Sequence, residues 1–429
     1  MQSSAFKSTP LGRGFFYGWI VVAVCFLTLI TSAGVRSAAA IFINPLEQEF
    51  GWNRAAIAGA ISINLFLFGL AAPISGRLVD KYGPRIVMMG AITIWATGVA
   101  LTPFISSLWQ LYLVWGLLVG MGTGAGGSVI SATVSARWFV ARRGLIVGLL
   151  GTGTSTGQLI FIPILMGIVV NFGWRAGSLL LLAAGSVVLT IIVLFMRNDP
   201  KDVGQEPYGT GSAMAAAAAA QEDRPPISIR DAMRAPEFWL LAGAFFTCGG
   251  TSNGLIGTHL IPHSIDHGIP ATTAAATVAV MGGLNAVGTI GSGWLTDRYD
   301  PRKLLSMYYA GRGLSLFLLP FVNDGLGLMI FAIGFGLDWF ATVPPTVTLT
   351  ARRFGRRSVG TIYGWTFFAH QLGAATMAFG AGAIRVAFGD YQIAFLAGGV
   401  LAMLGAGMAF MVRVSPPQAV APAPVAAAA

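Results

Sequence analysis

Three ionisable residues stand inside long apolar runs, and they are the letters best able to do chemistry. Arg36 lies in TSAGVRSAAA, Arg312 in YYAGRGLSL and Asp338 in GFGLDWF. A charge at the centre of a membrane-spanning helix costs about 2.5–3.5 kcal/mol on insertion scales, so something must offset each of them. A guanidinium among small residues, as Arg36 is, can hold a carboxylate through two parallel hydrogen bonds. It can equally serve a structural pair or snorkel to the interface. Arg312 and Asp338 fall at similar depth on consecutive antiparallel segments and are expected to pair. A paired carboxylate can exchange its arginine for a proton, which would make Asp338 a proton carrier tuned by Arg312. His370 and Gln371, in FFAHQLG, add a ring that can bind a carboxylate, pass a proton or act as a fixed hydrogen-bond partner. Asn64, Gln158, Asn253 and His259 are further polar groups able to line a path at depth. Trp115, Phe161, Trp339, Tyr363 and Trp365 could cover the apolar part of a solute, or belong to interfacial belts and core packing.

Such residues must be positioned by helices. The 429 residues are 55% hydrophobic and only 10% charged, against about 25% charged in soluble domains. An integral membrane protein follows. Twelve segments are long and apolar enough to span, near 18–46, 55–78, 86–104, 108–136, 143–170, 174–196, 237–265, 272–296, 303–322, 325–351, 358–386 and 391–412. Six precede and six follow a polar linker at 197–236, with tails at 1–17 and 413–429. The linker's YGTGSAMAAAAAAQEDRPP cannot bury a core, and 227–237 reads as a short surface helix. Pro344 and Pro345 are expected to break the tenth span, and the glycines of the fourth and fifth permit close helix contact. The net charge of +10 is explained by topology: most of the 26 Lys and Arg cluster in alternate loops, while Arg54, Arg175 and Arg385 occupy the opposite ones. Both termini are therefore expected in the cytoplasm, and no nucleic-acid partner is implied. Cys25 and Cys248 sit in apolar runs as small hydrophobes, which excludes a disulfide framework. No cleavable signal is expected ahead of the first span. No nucleotide motif, metal spacing or catalytic triad is visible, so neither an enzyme nor a cofactor is expected.

The two halves repeat one another. GRLVDKYGPR at 76–85 returns as GWLTDRYDPR at 293–302, with Gly76, Asp80 and Arg85 matched by Gly293, Asp297 and Arg302. Each copy is a short charged turn between apolar runs, in which glycine permits close approach, aspartate caps or pairs, and proline opens the next helix. Anchoring Pro45 on Pro262 sets Asn253 opposite Arg36: one half offers a charge and the other a neutral amide.

The paired motif resembles the loop signature of the major facilitator superfamily, and the resemblance covers nearly the whole chain. It implies an all-α fold of two pseudo-symmetric six-helix bundles that rock about a central path lined by helices one, four, seven and ten. FFYGWIVV in the first span, RWFVARRGLIVGLLGTGTSTGQ at the fourth-to-fifth junction and GWR at 173–175 resemble the monocarboxylate transporters and related oxalate/formate-type carriers. That likeness implies an anion-holding cation at Arg36. The Asp–Arg pair usual in helix eight is replaced by Asn285 and Thr289, so its arginine is missing. The helix-four arginine and helix-five Gly-Pro of drug antiporters are also missing.

The expectation from these residues is a secondary active transporter of a bacterial inner membrane, working as a monomer in the lipid bilayer and moving a small organic anion with a proton. Arg36, Asn64, Gln158, Asn253, His259, Asn285, His370 and Gln371 are its candidate substrate contacts. Asp338, Arg312 and His370 are its candidate proton-coupling groups. A carrier of a larger neutral or aromatic solute and an organic-anion exchanger are the alternatives.

Overall fold

The computed structural model describes residues 15–139, 143–209, 227–296, 298–322, 324–355 and 358–413. They are helical throughout, and their single β pairing is a bridge between Phe139 and Tyr208. Counted across their irregular turns, the helices coincide with the segments expected. The first half holds α1 (Gly18–Phe50), α2 (Arg54–Tyr82), α3 (Pro84–Leu101), α4 (108–138), α5 (143–172) and α6 (174–195), the last two divided by Gly173, whose φ is 83°. The second holds α7 (236–266), α8 (Ala271–Thr296), α9 (Pro301–Leu318), α10 (325–354), α11 (Val359–Phe388) and α12 (Gln392–Met411). By length and composition, eight helical stretches of the described residues can each cross a membrane.

The offset of the sequence repeat holds for the elements too. α3 and α9 each run 18 residues from an N-terminal proline and end in a 3₁₀ turn, Thr102–Phe104 and Leu319–Phe321. α1 and α7 stop before the positive-φ glycines Gly51 and Gly268. The N-caps of α3 and α9 solve one problem in two ways. Asp300 caps α9 with its own side chain, accepting from the Arg302 N–H at 3.0 Å. Gly83 stands in its place before α3 with φ 81°, where a side chain would run into Asn198, and Asn198 Oδ1 accepts the Arg85 N–H at 3.0 Å.

Two irregular π turns matter below, Tyr112–Val119 in α4 and Gly250–Ile256 in α7. α10 breaks over residues 339–342 and resumes at Val343, just ahead of Pro344 and Pro345. Buried Thr and Ser side chains return their hydrogens to their own helix, as Thr28 does to the Val24 carbonyl at 2.8 Å, which removes the cost of a bare hydroxyl in an apolar interior. Large apolar side chains such as Val287, Ile290, Leu314 and Ile330 point outward, as a lipid-facing surface requires.

The halves meet along α1–α7, α2–α11 and α5–α8. The described contacts run from mid-depth to the face away from the termini. At mid-depth Ser62 donates to the Ala375 carbonyl at 2.7 Å, and Asn285 to Ser155 Oγ at 2.8 Å. At the far face Arg54 of α2 grips Asp266 of α7, its Nη2 lying 2.7 Å from Oδ1. Arg54 also bonds Glu47, and Arg385 of α11 reaches the same aspartate at 3.0 Å.

Candidate functional site

Between the halves lies a cavity of about 60 Å³, lined from α1, α2 and α5 on one side and α7, α8 and α10 on the other. In this measure a water needs about 10–15 Å³, so there is room for about four water-sized groups. Arg36, Asn64, Gln158, Asn253 and Trp339 all face it. Arg36 sits 18 residues into α1, about 27 Å along the helix at ~1.5 Å per residue. Its guanidinium lies over the Phe68 ring, 4.4 Å from the centroid. Among the described residues it makes no ion pair and donates no hydrogen bond. A cation at that depth, covered by one aromatic face and otherwise turned to a polar cavity, keeps all its donors for a ligand.

The amides around it have fixed polarity. Asn64 donates Nδ2 to the Trp115 carbonyl at 2.6 Å, and a carbonyl can only accept. Asn253 sits in the π turn of α7, and its Oδ1 accepts from Trp339 Nε1 at 3.4 Å. Arg36 and Asn253, matched by the repeat, are both among the residues that line the cavity. The lining helices differ from the set implied by resemblance. α4 contributes no described lining residue and acts through Asn64, while α2, α5 and α8 do contribute.

Arg312 and Asp338 form the expected pair, Nε to Oδ2 at 2.7 Å, with the arginine fully buried. Arg312 does more than neutralise: its Nη2 also donates to the carbonyls of Asp338 and Trp339, at 2.8 and 2.9 Å, and Nη1 reaches Cys248 Sγ at 3.1 Å. Those carbonyls lie where α10 breaks, so Arg312 ties together the break that carries Trp339 to the cavity. Asp338 Oδ1 is buried with no partner among the described residues.

Four candidate contacts lie elsewhere, and these are corrections to the lining read from sequence. His259 is fully buried, with Nε2 2.7 Å from the Ala378 carbonyl and Nδ1 3.2 Å from the Tyr391 hydroxyl, so it joins the far-face contacts. Asn285 is bound to Ser155, Thr289 and the Phe340 N–H, and serves the α5–α8 seam and the end of α10. His370 is packed between Phe245 and Phe367, the latter ring parallel to within 7°, and neither ring nitrogen has a partner among the described residues. Gln371 packs in the α2–α11 seam against Gly69. Of the aromatics, only Trp339 is among the described lining residues.

The clasp is described only in part. Arg85 Nη2 donates to the Val193 carbonyl at 2.7 Å, and Arg137 holds Asp199 at 3.1 Å. Arg302 turns back on Asp300 at 2.7 Å, holding that carboxyl below the usual range through its hydrogen bonds. A Cβ at Gly293 would meet no neighbour, and the side chain of Asp80, with all of Asp297, lies outside the described residues, as does the linker tract 210–226. Sequence reasoning missed Phe68, the π turns and the Arg54–Asp266 pair. The last had a signal, since two opposite charges flank the far ends of paired spans.

A second recess, about 470 Å³, opens near the far ends of α1, α5 and α7 beside Glu49 and Trp174. Its carboxylate is already held by Trp174 Nε1 at 2.7 Å and by Arg175 at 2.6 Å, and no free cation is among its lining residues. Of the two recesses, the smaller is the one with a guanidinium among its described lining residues.

The chain is 26% identical over 406 residues to monocarboxylate transporter 13 of Bos taurus, covering 94% of this chain and 91% of that one. It is 29% identical over 403 residues to monocarboxylate transporter 11 of Homo sapiens, covering 91% and 81%. Its fold matches the crystal structure of a bacterial homologue of the human lysosomal transporter Spinster, described as inward-facing and unoccupied, with TM-score 0.75, 15% identity and coverage of 94% and 98%. The sequence profile of the Major Facilitator Superfamily matches residues 24–378, and the protein therefore belongs to that superfamily of membrane transporters.

Proposed function

We propose that the protein is a proton-coupled carrier of a small organic anion, most simply a monocarboxylate, working by alternating access. The observation that carries this reading is Arg36: a guanidinium at bilayer depth, without an anionic partner among the described residues, in a cavity between the halves. In this reading the substrate carboxylate supplies the missing charge, and Trp339 covers its carbon skeleton. The far-face contacts of Arg54, Asp266 and Arg385 close one entrance, and the basic loops assign the termini-bearing side to the cytoplasm. The cavity volume and the monocarboxylate transporter relatives favour a small acid over a large neutral solute. Asp338 is the proton carrier of choice, because Oδ1 has a free position and the paired arginine holds the break beside Trp339.

The test is uptake of labelled short-chain acids into proteoliposomes. Accumulation should rise with an acid-outside pH gradient and fall when an ionophore collapses it. Uptake indifferent to the gradient removes the coupling, and indifference to competing monocarboxylates removes the substrate class.

A further inference from the structure

We propose that His263 and His267 form a binding site for a zinc-class transition-metal ion at the far face, and that the ion, once bound, takes Asp266 from Arg54. The two histidines stand one turn apart at the end of α7, where residues i and i+4 share a face. The turn is closed, with the His267 N–H donating to the His263 carbonyl at 3.2 Å, and the ring centroids lie 4.2 Å apart. His267 Nδ1 lies 2.9 Å from the same carbonyl. A carbonyl can only accept, so Nδ1 carries the hydrogen and the neutral ring keeps its lone pair on Nε2, in an exposed side chain. A hydrogen bond on the far nitrogen is what sets the tautomer of a metal-ligating imidazole. His263 is only 4% exposed, with Phe395 edge-on to its ring at 4.8 Å and Tyr391 at 6.0 Å. Its Nδ1 is sealed without a partner among the described residues, and Nε2 is the ring nitrogen left to reach outward.

The rest of the chain offers no rival. It has four histidines and two cysteines. His259 spends both nitrogens on the Ala378 carbonyl and the Tyr391 hydroxyl, both nitrogens of His370 are sealed, and Cys25 and Cys248 are buried. Two imidazoles supply half of a tetrahedral zinc shell, and the next ligand lies in the same turn. Asp266 follows His263 by three residues and precedes His267 by one, which puts it on the same face. Its carboxylate is turned instead to Arg54 of the other half, Oδ1 to Nη2 at 2.7 Å, and to Arg385 at 3.0 Å. Among the described residues no three such groups are gathered closely enough to hold an ion in this arrangement. The third ligand arrives only when Asp266 lets go of Arg54. Ion and guanidinium are therefore two cations competing for one carboxylate. Because Arg54 belongs to α2 and Asp266 to α7, an ion that wins loosens the contact between the halves, and it binds the far-face-open arrangement more tightly than the closed one.

The experiment is equilibrium dialysis of zinc chloride against the purified, tag-free, full-length protein, with magnesium chloride as the hard-ion control, repeated on His267→Ala, Asp266→Asn, Arg54→Gln and the double variant of the last two. The native protein should take up one zinc ion per chain and no magnesium, since imidazole suits zinc and not magnesium. His267→Ala, at an exposed position, should weaken zinc by about tenfold or more, and Asp266→Asn should weaken it several-fold. Arg54→Gln should tighten zinc several-fold by freeing the carboxylate, and the double variant should lose that gain. Native protein without stoichiometric zinc, or equal affinity in a folded His267→Ala, overturns the site. A gain that survives in the double variant is plain charge relief and overturns the competition for Asp266, as does an Asp266→Asn protein that binds zinc like the native one, a result that stands even if Arg54→Gln fails to fold. The readout is bound metal, so it stands or falls apart from the anion reading.

Discussion

Arg36 and Arg312 both stand inside spanning helices and differ in what they face. Arg312 is saturated by Asp338, two carbonyls and Cys248, and Arg36 has one aromatic face and a cavity. Removing Arg36 should cost function while leaving the fold intact: Arg36→Gln is expected to weaken acid binding about 10- to 100-fold, the worth of hydrogen bonds to a charged group, with little change in melting temperature. A titration of binding on both proteins checks it. Arg312 calls for the opposite pattern. Asp338→Asn alone strands a buried arginine and should lower stability by about 3–5 kcal/mol, whereas Arg312→Met with Asp338→Leu should recover most of it. If Asp338 carries the proton, the stable double variant still exchanges substrate but no longer concentrates it on a pH gradient. Depth along each helix was legible in the sequence, and rotation about the axis was the harder quantity. Asn253 and His259 look alike as letters, but six residues at ~100° each turn His259 some 240° away, into the far-face contacts. Asn285 was singled out by its match to the helix-eight pair and His370 by its ring at mid-span; the packing of α8 on α5 and of α11 on α7 leaves both outside the described lining.

At the scale of elements, irregular helix geometry sets the site. The π turns of α4 and α7 place Trp115 and Asn253, and the break in α10 places Trp339. The prolines after that break were readable in advance; the π turns carry no proline and no sequence signature that periodicity could detect. Gly120 was visible as one of several small residues, but which backbone it met was not: a Cβ there would stand 2.9 Å from the Cα and carbonyl oxygen of Asn64. Gly120→Val should push α4 off α2, cost about 1–3 kcal/mol of stability as overpacking does, and loosen Asn64. A thermal melt paired with a titration of acid binding checks this, since stability and affinity should fall together.

Across the whole molecule, helix order and the two-half repeat were legible because a bilayer allows little else to a chain this apolar. One offset relates the charged turns, the 18-residue helices α3 and α9, and the Arg36–Asn253 pair. Which entrance is shut was not legible, because rocking bundles share one sequence among several arrangements. Here Arg54 and Asp266 join the halves at the far face. Asp266→Asn should shift the population toward far-face opening, and a cysteine placed at Ile61, buried on the cavity wall here, should then react several-fold faster with a membrane-impermeant thiol reagent. Unchanged reactivity would mean that the pair is not what holds the entrance.

The most direct test of the central claim compares equilibrium binding of a labelled short-chain acid to the native protein and to Arg36→Gln, at one pH and matched salt. If Arg36 holds the carboxylate, the native protein saturates, simple monocarboxylates displace the label, and the variant folds but binds at least tenfold more weakly. Equal affinity in a well-folded Arg36→Gln variant would contradict it, leaving a superfamily carrier whose cargo is recognised without that guanidinium.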